Sequence, residues 1–565
     1  MNSNVIHSLA ELCALKGVRN VVVCPGSRSA PLTLAFLRNK LFTCRTFSDE
    51  RSAAFIALAM AQQTKKPVAL ICTSGSAAYN FAPAVAESFF QQIPLLVFTA
   101  DRPKEWIDQL DGQTIRQQGI FGHHVKRSYE LPQDYSHADS IWHANRIVNE
   151  AVNLAEALPQ GPVHINAPFR EPLYPATASE APRIIPRNME VDSSSLHLSD
   201  DQWVELVKSM DTFRKILIVP GQQVPSQKLL ENLTAFYTRH HCPLAGDILS
   251  NFHGLPFFCR HADTILGQPV EANQQALQPD LIITFGKSLV AKNLKLFLRA
   301  HKPAAHWHLQ PEGEVADTFQ SLTRIIRVSP DYFFAQVTSK LNVNNARQPF
   351  ATLWEQHETR ANHAVKTFMD SQAAGEFAFL SKVLREIPTS SNLHLANSMS
   401  VRYANLIGLL PEQQGVTVYS NRGTSGIDGC SSTAVGHALT SDNANVLITG
   451  DQAFFYDRNA FWHNYSLPNL FVVLINNHGG IIFNMINGPA HLPEAEEFFI
   501  TRQALHARPL AAEFGFSHEQ ASTTSLPDFF TSNGNVKILE MESDQALNKK
   551  IFETFKKQIK KTYED

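Results

Sequence analysis

An acidic residue at the end of an apolar run is the first feature of this sequence that could support chemistry. The run at 446–448 ends at Gly450, and Asp451 follows at once. Asn477 lies one strand–helix–strand unit further on, in the turn NNHGG after a second apolar run. Carboxylate, amide and backbone carbonyl oxygens are preferred ligands of Mg²⁺, and phosphate or water can complete the octahedron. The spacing therefore predicts a divalent metal site, unless Asp451 only caps a helix and the asparagines only form a turn.

The helix expected after Gly450 offers a second way to hold a phosphate group, because the N–H groups of its first turn point at the same place. Gln452 and Ala453 of that turn are predicted to contact the bound group. The combination of Asp451 with Asn477 resembles the G-D-G…N-N signature of thiamine-diphosphate enzymes. Gln452 replaces the last glycine of the common form.

Glu50 is the candidate for a second carboxylate that such enzymes require, in a different part of the chain. It follows a short strand-like run in TFSDERSAAF and opens an apolar helical stretch. A thiamine cofactor is activated when a carboxylate engages a ring nitrogen of its aminopyrimidine, and Glu50 is predicted to be that carboxylate. The alternative is an ordinary acidic residue in the first turn of a helix, where the dipole favours it.

Basic and polar residues also cluster where apolar runs end. They are Ser27, Arg28, Arg102, Gln113, Arg116, Lys287, Lys292, Ser398, Arg402 and Arg422. Each base alone could be a salt-bridged surface residue. Several guanidinium groups at one site would be unfavourable without anions, and Arg binds planar carboxylates through paired hydrogen bonds. The pattern indicates anionic substrates.

The elements that must position these residues form a repeating pattern of buried strands and helices. Short, continuous apolar runs such as NVVVCPG, LIITFG and LFVVLIN indicate strands buried on both faces, and the helical stretches between them indicate parallel, doubly wound sheets. We therefore predict an α/β protein of three such domains. Two stretches without clear periodicity, at 174–195 and 341–350, are predicted linkers. The predicted domains are residues 1–180, 196–340 and 350–565.

Composition gives no indication of a nucleic-acid or membrane partner. The net charge is −3, and no apolar run approaches the ~20 residues of a membrane span. The seven cysteines are scattered without a C-x-x-C pair, which favours reduced thiols. The N-terminal residues do not form a secretory signal pattern, so a cytoplasmic protein is expected.

Longer motifs closely resemble one family across essentially the whole chain. PGSRSAPLTL, DERSAAF, TSGSAAYNFAPAVAE, QTIRQQGIF, HINAPFREPLY, NSMSVR, SNRGTSGIDG and NNHGGIIF together resemble the 2-succinyl-5-enolpyruvyl-6-hydroxy-3-cyclohexene-1-carboxylate (SEPHCHC) synthases. The resemblance implies thiamine-diphosphate-enzyme architecture and a C–C bond-forming transferase of menaquinone biosynthesis. The implied reaction is decarboxylation of 2-oxoglutarate and conjugate addition of the resulting succinyl carbanion to isochorismate, giving SEPHCHC and CO₂.

The resemblance also implies roles for individual residues. Glu50, Gln113 and Arg28 would be catalytic. The metal, Mg²⁺ or Mn²⁺, would be bound by Asp451, Asn477 and the Gly479 carbonyl. Thiamine diphosphate would contact Glu50, Ser398, Ile427, Gln452, Ala453, Asn477, Ile482 and Phe483. The substrates would contact Ser27, Arg28, Arg102, Gln113, Lys292, Ser398, Arg402 and Arg422. A homodimer or homotetramer with active sites between subunits is expected.

Two alternatives remain open at this stage. Another thiamine-dependent 2-oxo acid decarboxylase or carboligase could use the pair His123 and His124 as acid and base. A non-enzymatic nucleotide-binding α/β protein is more remote, because FGKS lacks the upstream glycine of a phosphate-binding loop. His306 and His308 could offer two metal ligands on one strand, but no third is evident.

Overall fold

The protein is described by a computed structural model that covers residues 3–174, 185–192, 194, 196–268, 270–372, 374–485, 488–532 and 534–564. Three six-stranded sheets follow one another along the chain, and every strand pair within them is parallel. The prediction of three mainly parallel α/β units is confirmed. Most of the predicted linker at 174–195 lies outside the described residues, as does the boundary at residue 180.

The first sheet has the strand order β2-β1-β3-β4-β6-β5. The first domain, which contains this sheet, also has short 3₁₀ turns at Lys104–Trp106 and Gly122–His124. Its elements are α1 (Ser3–Leu15), β1 (Asn20–Val23), α2 (Ala30–Leu37), β2 (Thr43–Thr46), α3 (Glu50–Thr64), β3 (Val68–Cys72), α4 (Ser76–Asn80), α5 (Ala82–Phe90), β4 (Leu95–Asp101), β5 (Ser128–Glu130), α6 (Ala138–Glu156) and β6 (Val163–Pro168).

The second sheet has the order β12-β11-β10-β7-β8-β9. The second domain, which contains this sheet, also has a 3₁₀ turn at Ile248–Ser250. Its elements are α7 (Asp200–Asp211), β7 (Ile216–Pro220), α8 (Gln227–His240), β8 (Leu244–Ala245), β9 (Phe258–Cys259), α9 (Ala262–Leu266), α10 (Glu271–Leu277), β10 (Leu281–Phe285), α11 (Lys292–Ala300), β11 (Ala305–Leu309), β12 (Arg324–Ile326) and α12 (Pro330–Lys340).

The third sheet, β14-β13-β15-β16-β18-β17, repeats the strand order of the first. Short 3₁₀ turns occur at Asn345–Arg347, Pro411–Gln413, Arg458–Phe461 and Pro489–His491, and a π-helical turn at Ala495–Ile500. Its elements are α13 (Gln348–Ser371), α14 (Glu376–Glu386), β13 (Asn392–Leu395), α15 (Met399–Ile407), β14 (Thr417–Tyr419), α16 (Cys430–Ala438), β15 (Asn445–Gly450), α17 (Asp451–Tyr456), β16 (Leu470–Asn476), α18 (Ile482–Met485), α19 (Ala507–Phe514), β17 (Ser517–Gln520), α20 (Leu526–Phe529), β18 (Lys537–Glu542) and α21 (Gln545–Glu564).

The first and third sheets are joined by the packing of α3 on α16. Every residue of α3 from Ser52 to Ala61 is buried. The helices approach closely at Gly436, where a Cβ atom would lie 2.5 Å from the carbonyl oxygen of Ile56. This apolar contact fixes the start of α3, which carries Glu50, relative to the third sheet of the same chain.

The predicted linker at 341–350 joins α12, which ends at Lys340, to α13, and one of its residues packs against the second domain. Arg347 is buried, and its guanidinium donates to the carbonyl oxygens of Met210 at 3.1 Å and Phe213 at 3.2 Å. The long helix α13 begins at Gln348. A stretch that is polar by composition is ordered here because a buried cation satisfies carbonyl groups of the second domain.

The helix expected after Gly450 is the short α17, and a 3₁₀ turn follows it at Arg458–Phe461. All seven cysteines are free, and six of them are buried. Among the described residues, no helix combines the length and the apolar character that a membrane span needs.

Candidate active site

Asp451 stands at the edge of the third sheet where β13, β14, β15 and β16 all end. It is the first residue of α17 and is buried. Its Oδ2 accepts a hydrogen bond from Nε2 of Gln503 at 2.6 Å. Burial raises the pKa of Asp451, while Gln503 and the backbone amides of Gln452 and Gly479 oppose this rise. A buried carboxylate at a strand end is a position that a bound cation would stabilise.

Asn477 is held so that its amide oxygen is the atom left for a ligand. Its Nδ2 donates to Oε1 of Glu376 at 2.8 Å, and Glu376 is fully buried with a pKa raised by that burial. Gln545 donates from Nε2 to the backbone oxygen of Asn477 at 2.8 Å and makes only a long contact, 3.4 Å, with Oδ1. The orientation of this amide is therefore fixed by its neighbours.

The turn after Asn477 is covered by the segment 500–503. The amide of Gly480 donates to the carbonyl oxygen of Ile500 at 2.6 Å. A Cβ atom on Gly479 would lie 2.9 Å from that same oxygen, so the close approach requires glycine. The Gln452 side chain donates to the Thr501 carbonyl at 3.0 Å. The carboxylate of Asp451, the amide oxygen of Asn477 and the Gly479 carbonyl form a hard donor set that fits Mg²⁺ or Mn²⁺.

Two arginines, Arg402 and Arg422, lie beyond the ends of β13 and β14, where their like charges repel each other. Arg402 of α15 donates from a terminal nitrogen to the carbonyl oxygen of Ser398 at 2.6 Å, and Ser398 has a left-handed φ of 72°. Arg422 donates to Oδ1 of Asn397 at 2.7 Å. Burial lowers the pKa of both guanidinium groups, and repulsion by Arg422 adds to the effect on Arg402. Two like charges in this position indicate an anionic ligand.

Three predicted apolar contacts of the cofactor lie on the same side of the third domain. Ile427 is exposed, 38 % of its surface being accessible, in the loop between β14 and α16. Ile482 and Phe483 begin the short helix α18, and the ring of Phe483 lies 5.8 Å from that of Phe499. Ala453 is buried in α17. An exposed isoleucine beside polar strand ends is available to support a ligand.

Glu50 is not needed as the cap of its helix. Asp49 is the N-cap of α3, and its Oδ1 accepts from the amide of Ser52 at 2.9 Å. Glu50 is half-buried, and its only side-chain contact among the described residues is a long hydrogen bond of 3.3 Å from Asn80. The helix is capped without Glu50, so its carboxylate remains available for chemistry.

The other predicted residues of the first domain surround the ends of β1 and β4. Ser27 is exposed, whereas Arg28 is buried, donating to the Phe169 carbonyl at 2.9 Å and pairing with Glu171 at 3.4 Å. Arg102 donates to the Gly112 carbonyl at 2.6 Å, next to the exposed Gln113. Arg28 and Arg102 thus have structural partners as well as positions near strand ends.

Some candidate side chains are engaged elsewhere. Arg116 pairs with Asp108 on the surface. His123 and His124 are exposed in a 3₁₀ turn, where the His124 ring contacts those of Phe89 and Phe90. His306 and His308 both contact Oγ1 of Thr284 at 2.8 Å. Burial lowers the pKa of His306 to about 4.

The two groups of candidate residues are separate within one chain. Glu50, Arg28 and Gln113 belong to the first domain, whereas Asp451 and Arg422 belong to the third. No hydrogen bond or ion pair between described residues links one group to the other.

Two family models match the first part and the middle of the chain, and relatives match nearly all of it. A model described as "Thiamine pyrophosphate enzyme, N-terminal TPP binding domain" matches residues 3–123, and one described as "Middle domain of thiamine pyrophosphate" matches 189–395. A 2-succinyl-5-enolpyruvyl-6-hydroxy-3-cyclohexene-1-carboxylate synthase from Cytophaga hutchinsonii is 45% identical over 99% of both chains. Synthases of the same name from Flavobacterium johnsoniae (37% identical, 98% of both chains) and Porphyromonas gingivalis (36%, 97% of this chain and 96% of the relative) also match.

The chain belongs to the SEPHCHC synthase family. It is therefore an enzyme that depends on thiamine diphosphate, and the predicted fold family, cofactor and enzyme class are confirmed. The divalent metal and the roles of single residues stay predictions. So do the domain boundaries at 180, 196, 340 and 350.

The structure adds a residue of this family member that sequence motifs did not single out, Glu87 of α5. Its carboxylate is fully buried and accepts from the amide of Gly423 at 2.9 Å and from the amide and hydroxyl of Thr424 at 2.5 and 2.7 Å. Gln91 donates to it at 2.6 Å. Glu87 thus fixes the loop that carries Arg422 and Ile427. Two sequence signals could have found it: Glu87 is the last residue of the motif TSGSAAYNFAPAVAE, and it is a charged residue in the apolar helix APAVAESFF.

Glu87→Gln should destabilise the folded protein by roughly 1 to 3 kcal/mol, because a charged acceptor of several buried donors is replaced by a neutral amide. Denaturant unfolding followed by tryptophan fluorescence measures the change. The matched control is Glu386→Gln, since Glu386 is exposed at the end of α14. Equal stability of the two variants would contradict the role of Glu87.

Proposed function

We propose that this SEPHCHC synthase family member decarboxylates 2-oxoglutarate and adds the resulting succinyl unit to isochorismate, giving SEPHCHC and CO₂ for menaquinone biosynthesis. Both substrates are dicarboxylates. The supporting observation is that Arg402 and Arg422 follow β13 and β14, whose ends lie at the same edge of the sheet as Asp451, and that Lys292 lines one cavity with Arg402. None of these three cations forms an ion pair with a described carboxylate. Such cations match substrates that carry two carboxylates each.

Thiamine diphosphate, when bound, supplies the electron sink for C–C bond cleavage and formation. The chain's own residues would orient the cofactor and place charged and polar groups around it. Asp451, Asn477 and the Gly479 carbonyl would hold Mg²⁺ or Mn²⁺ against the diphosphate, together with the first-turn amides of Gln452 and Ala453. Glu50 would hold a proton shared with a ring nitrogen of the aminopyrimidine.

The remaining residues would shape the cofactor pocket and bind the substrates. Ile427, Ile482 and Phe483 would pack on the cofactor, and Ser398 would border both cofactor and substrate. Substrate carboxylates and hydroxyls would be bound by Ser27, Arg28, Arg102, Gln113, Lys292, Arg402 and Arg422. Among these, Arg28 and Gln113 would lie near the reacting atoms.

We infer that two copies of the chain complete each site. The support is the resemblance to the family, together with the finding that no hydrogen bond or ion pair among the described residues joins Glu50 to Asp451 within one chain. The first domain of one copy would face the third domain of another, in a homodimer or homotetramer. A cytoplasmic location, with no nucleic acid or membrane as partner, fits two small, soluble, anionic substrates.

CO₂ release from 2-oxoglutarate tests the proposal directly. The purified protein is assayed with thiamine diphosphate and Mg²⁺, with and without isochorismate, and with pyruvate as control substrate. Release from 2-oxoglutarate should rise sharply when isochorismate is added, because the second substrate removes the succinyl unit from the site. Turnover of pyruvate at a similar rate would instead favour a different thiamine-dependent decarboxylase or carboligase, with His123 and His124 as the candidate acid and base.

A further inference from the structure

A cavity of about 400 Å³ lies between the second and third domains. Its walls come from α9, the start of α11, α15 and α21. We call it the α21 cavity. Its volume is typical of a small-molecule site. Its lining residues are Asp263, Thr264, Gly267, Gln268, Val290, Lys292, Asn293, Arg402, Asn405, Leu406, Phe552, Phe555, Lys556, Ile559 and Lys560.

The charges around the α21 cavity are unbalanced. Lys560 pairs with Glu564 at 3.2 Å, whereas Lys292, Arg402 and Lys556 form no ion pair with any described carboxylate. Asp263 attracts Arg402 and Glu553 attracts Lys556 only at longer range. Asp263 is the only acidic lining residue, and its Oδ1 accepts from the amide of Asn293 at 2.5 Å in the first turn of α11. Lys292 and Lys556 are exposed, so water screens their repulsion and both ammonium groups are accessible to an anionic ligand.

The floor of the α21 cavity is apolar. Phe552, Phe555 and Ile559 line it from α21, and Leu406 lines it from α15. A ligand that fits both features has carboxylates at its ends and an apolar ring between them.

Lys556 connects α21 to the segment that carries Phe483. Its ammonium donates to the carbonyl oxygen of Met485, the last residue of α18, at 3.1 Å, and lies 4.4 Å from the centre of the Phe552 ring. An ammonium has three N–H donors, so this hydrogen bond leaves two for a ligand. Repulsion by Lys292 contributes to lowering the pKa of Lys556, after desolvation, so the two ammonium groups are near neighbours.

We propose that α21 completes the subsite for the ring-bearing acceptor acid and that Lys556 is a substrate-binding residue. Lys556 and Lys292 would bind one carboxylate of isochorismate, Arg402 would bind the other, and the ring would lie against Phe552 and Leu406. This inference rests on the proposed function. It predicts that Lys556 discriminates between the two substrates, because 2-oxoglutarate has no ring to place on the apolar floor.

The test is Lys556→Met, which keeps the apolar stem and removes the charge. In the enzyme loaded with thiamine diphosphate and Mg²⁺, KM for isochorismate should rise roughly 10- to 100-fold, as expected for a lost charge-assisted contact. KM for 2-oxoglutarate should stay within about twofold, because Lys556 is proposed to contact only the acceptor acid. Lys556→Arg should restore most of the affinity. Lys557→Met is the matched control, since Lys557 is the exposed neighbour on another side of the helix.

Binding without turnover separates this inference from the proposed function. Isochorismate is titrated calorimetrically into the loaded enzyme in the absence of 2-oxoglutarate. Weaker binding to Lys556→Met than to Lys557→Met supports the subsite even if the wild-type protein releases no CO₂ from 2-oxoglutarate, an outcome that would reject only the proposed function. Equal binding of isochorismate to both variants, or a fall in kcat with both KM values unchanged, would overturn the role of Lys556 in binding.

Discussion

Glu50→Gln should lower CO₂ release from 2-oxoglutarate by about 10²- to 10⁴-fold, the usual contribution of a group that holds or transfers a proton. Glutamine has nearly the shape of glutamate but cannot carry the proton shared with the aminopyrimidine. Because Asp49 caps α3, the helix should remain intact in the variant. Initial rates measured at saturating cofactor, with the melting temperature as a check on folding, give the effect.

The matched control for this prediction is Glu271→Gln. Glu271 also opens a helix, α10, and is exposed. Its replacement should leave the rate unchanged. A Glu50→Gln enzyme with more than about a tenth of the wild-type rate would contradict the role of Glu50, since that loss is below the range for proton-transfer groups.

Glu50→Gln also tests whether each active site lies between two copies of the chain. Glu50→Gln and Asp451→Asn are each inactive alone if both residues are essential. In a mixed dimer, one site has both substitutions and the other has neither. Random mixing should therefore restore about a quarter of the wild-type activity, because about half of the dimers are mixed and each has one intact site. No restoration would mean that Glu50 and Asp451 of one chain serve the same site.

Asp451→Asn should weaken Mg²⁺-dependent binding of thiamine diphosphate about 100-fold. The substitution removes the only charged ligand of the proposed metal site, and about 3 kcal/mol for a charge-assisted contact corresponds to two powers of ten. Fluorescence titration with thiamine diphosphate at fixed Mg²⁺ measures the loss. The Asp451→Asn side chain can still accept the hydrogen bond from Gln503, so the local fold should survive.

Asp442→Asn is the control for this prediction. Asp442 is exposed in the turn before β15, at the opposite end of the strand that leads to Asp451. Cofactor affinity within about twofold of wild type is expected for Asp442→Asn, as for most surface substitutions. A folded Asp451→Asn protein that binds the cofactor as tightly as wild type, with the same dependence on Mg²⁺, would contradict the proposed metal site. Circular dichroism shows whether the variant is folded.

Much of the fold followed from local patterns. Runs such as Leu281–Phe285 and Leu470–Asn476 are apolar throughout because both faces of a parallel strand are covered by helices. The same rule placed Asp451 and Asn477 at one edge, since neighbouring parallel strands end together. At 341–350 polar composition predicted a linker, but it did not predict that a residue of this stretch packs against the second domain. The burial of Arg347 against carbonyl groups of another domain has no local signature.

The sequence by itself determined the chemistry available at the site: the carboxylates Glu50 and Asp451, the amide of Asn477 and the bases at strand ends. Their residue types and spacing are local properties of the chain. Only the tertiary structure decided how these groups are held. Glu87 binds the Arg422 loop across 336 residues, Glu376 orients Asn477 across 101, and Lys556 meets α18 across 71. Such contacts depend on which helices pack together, and helix packing is selected by the fit of whole surfaces, which no local spacing encodes.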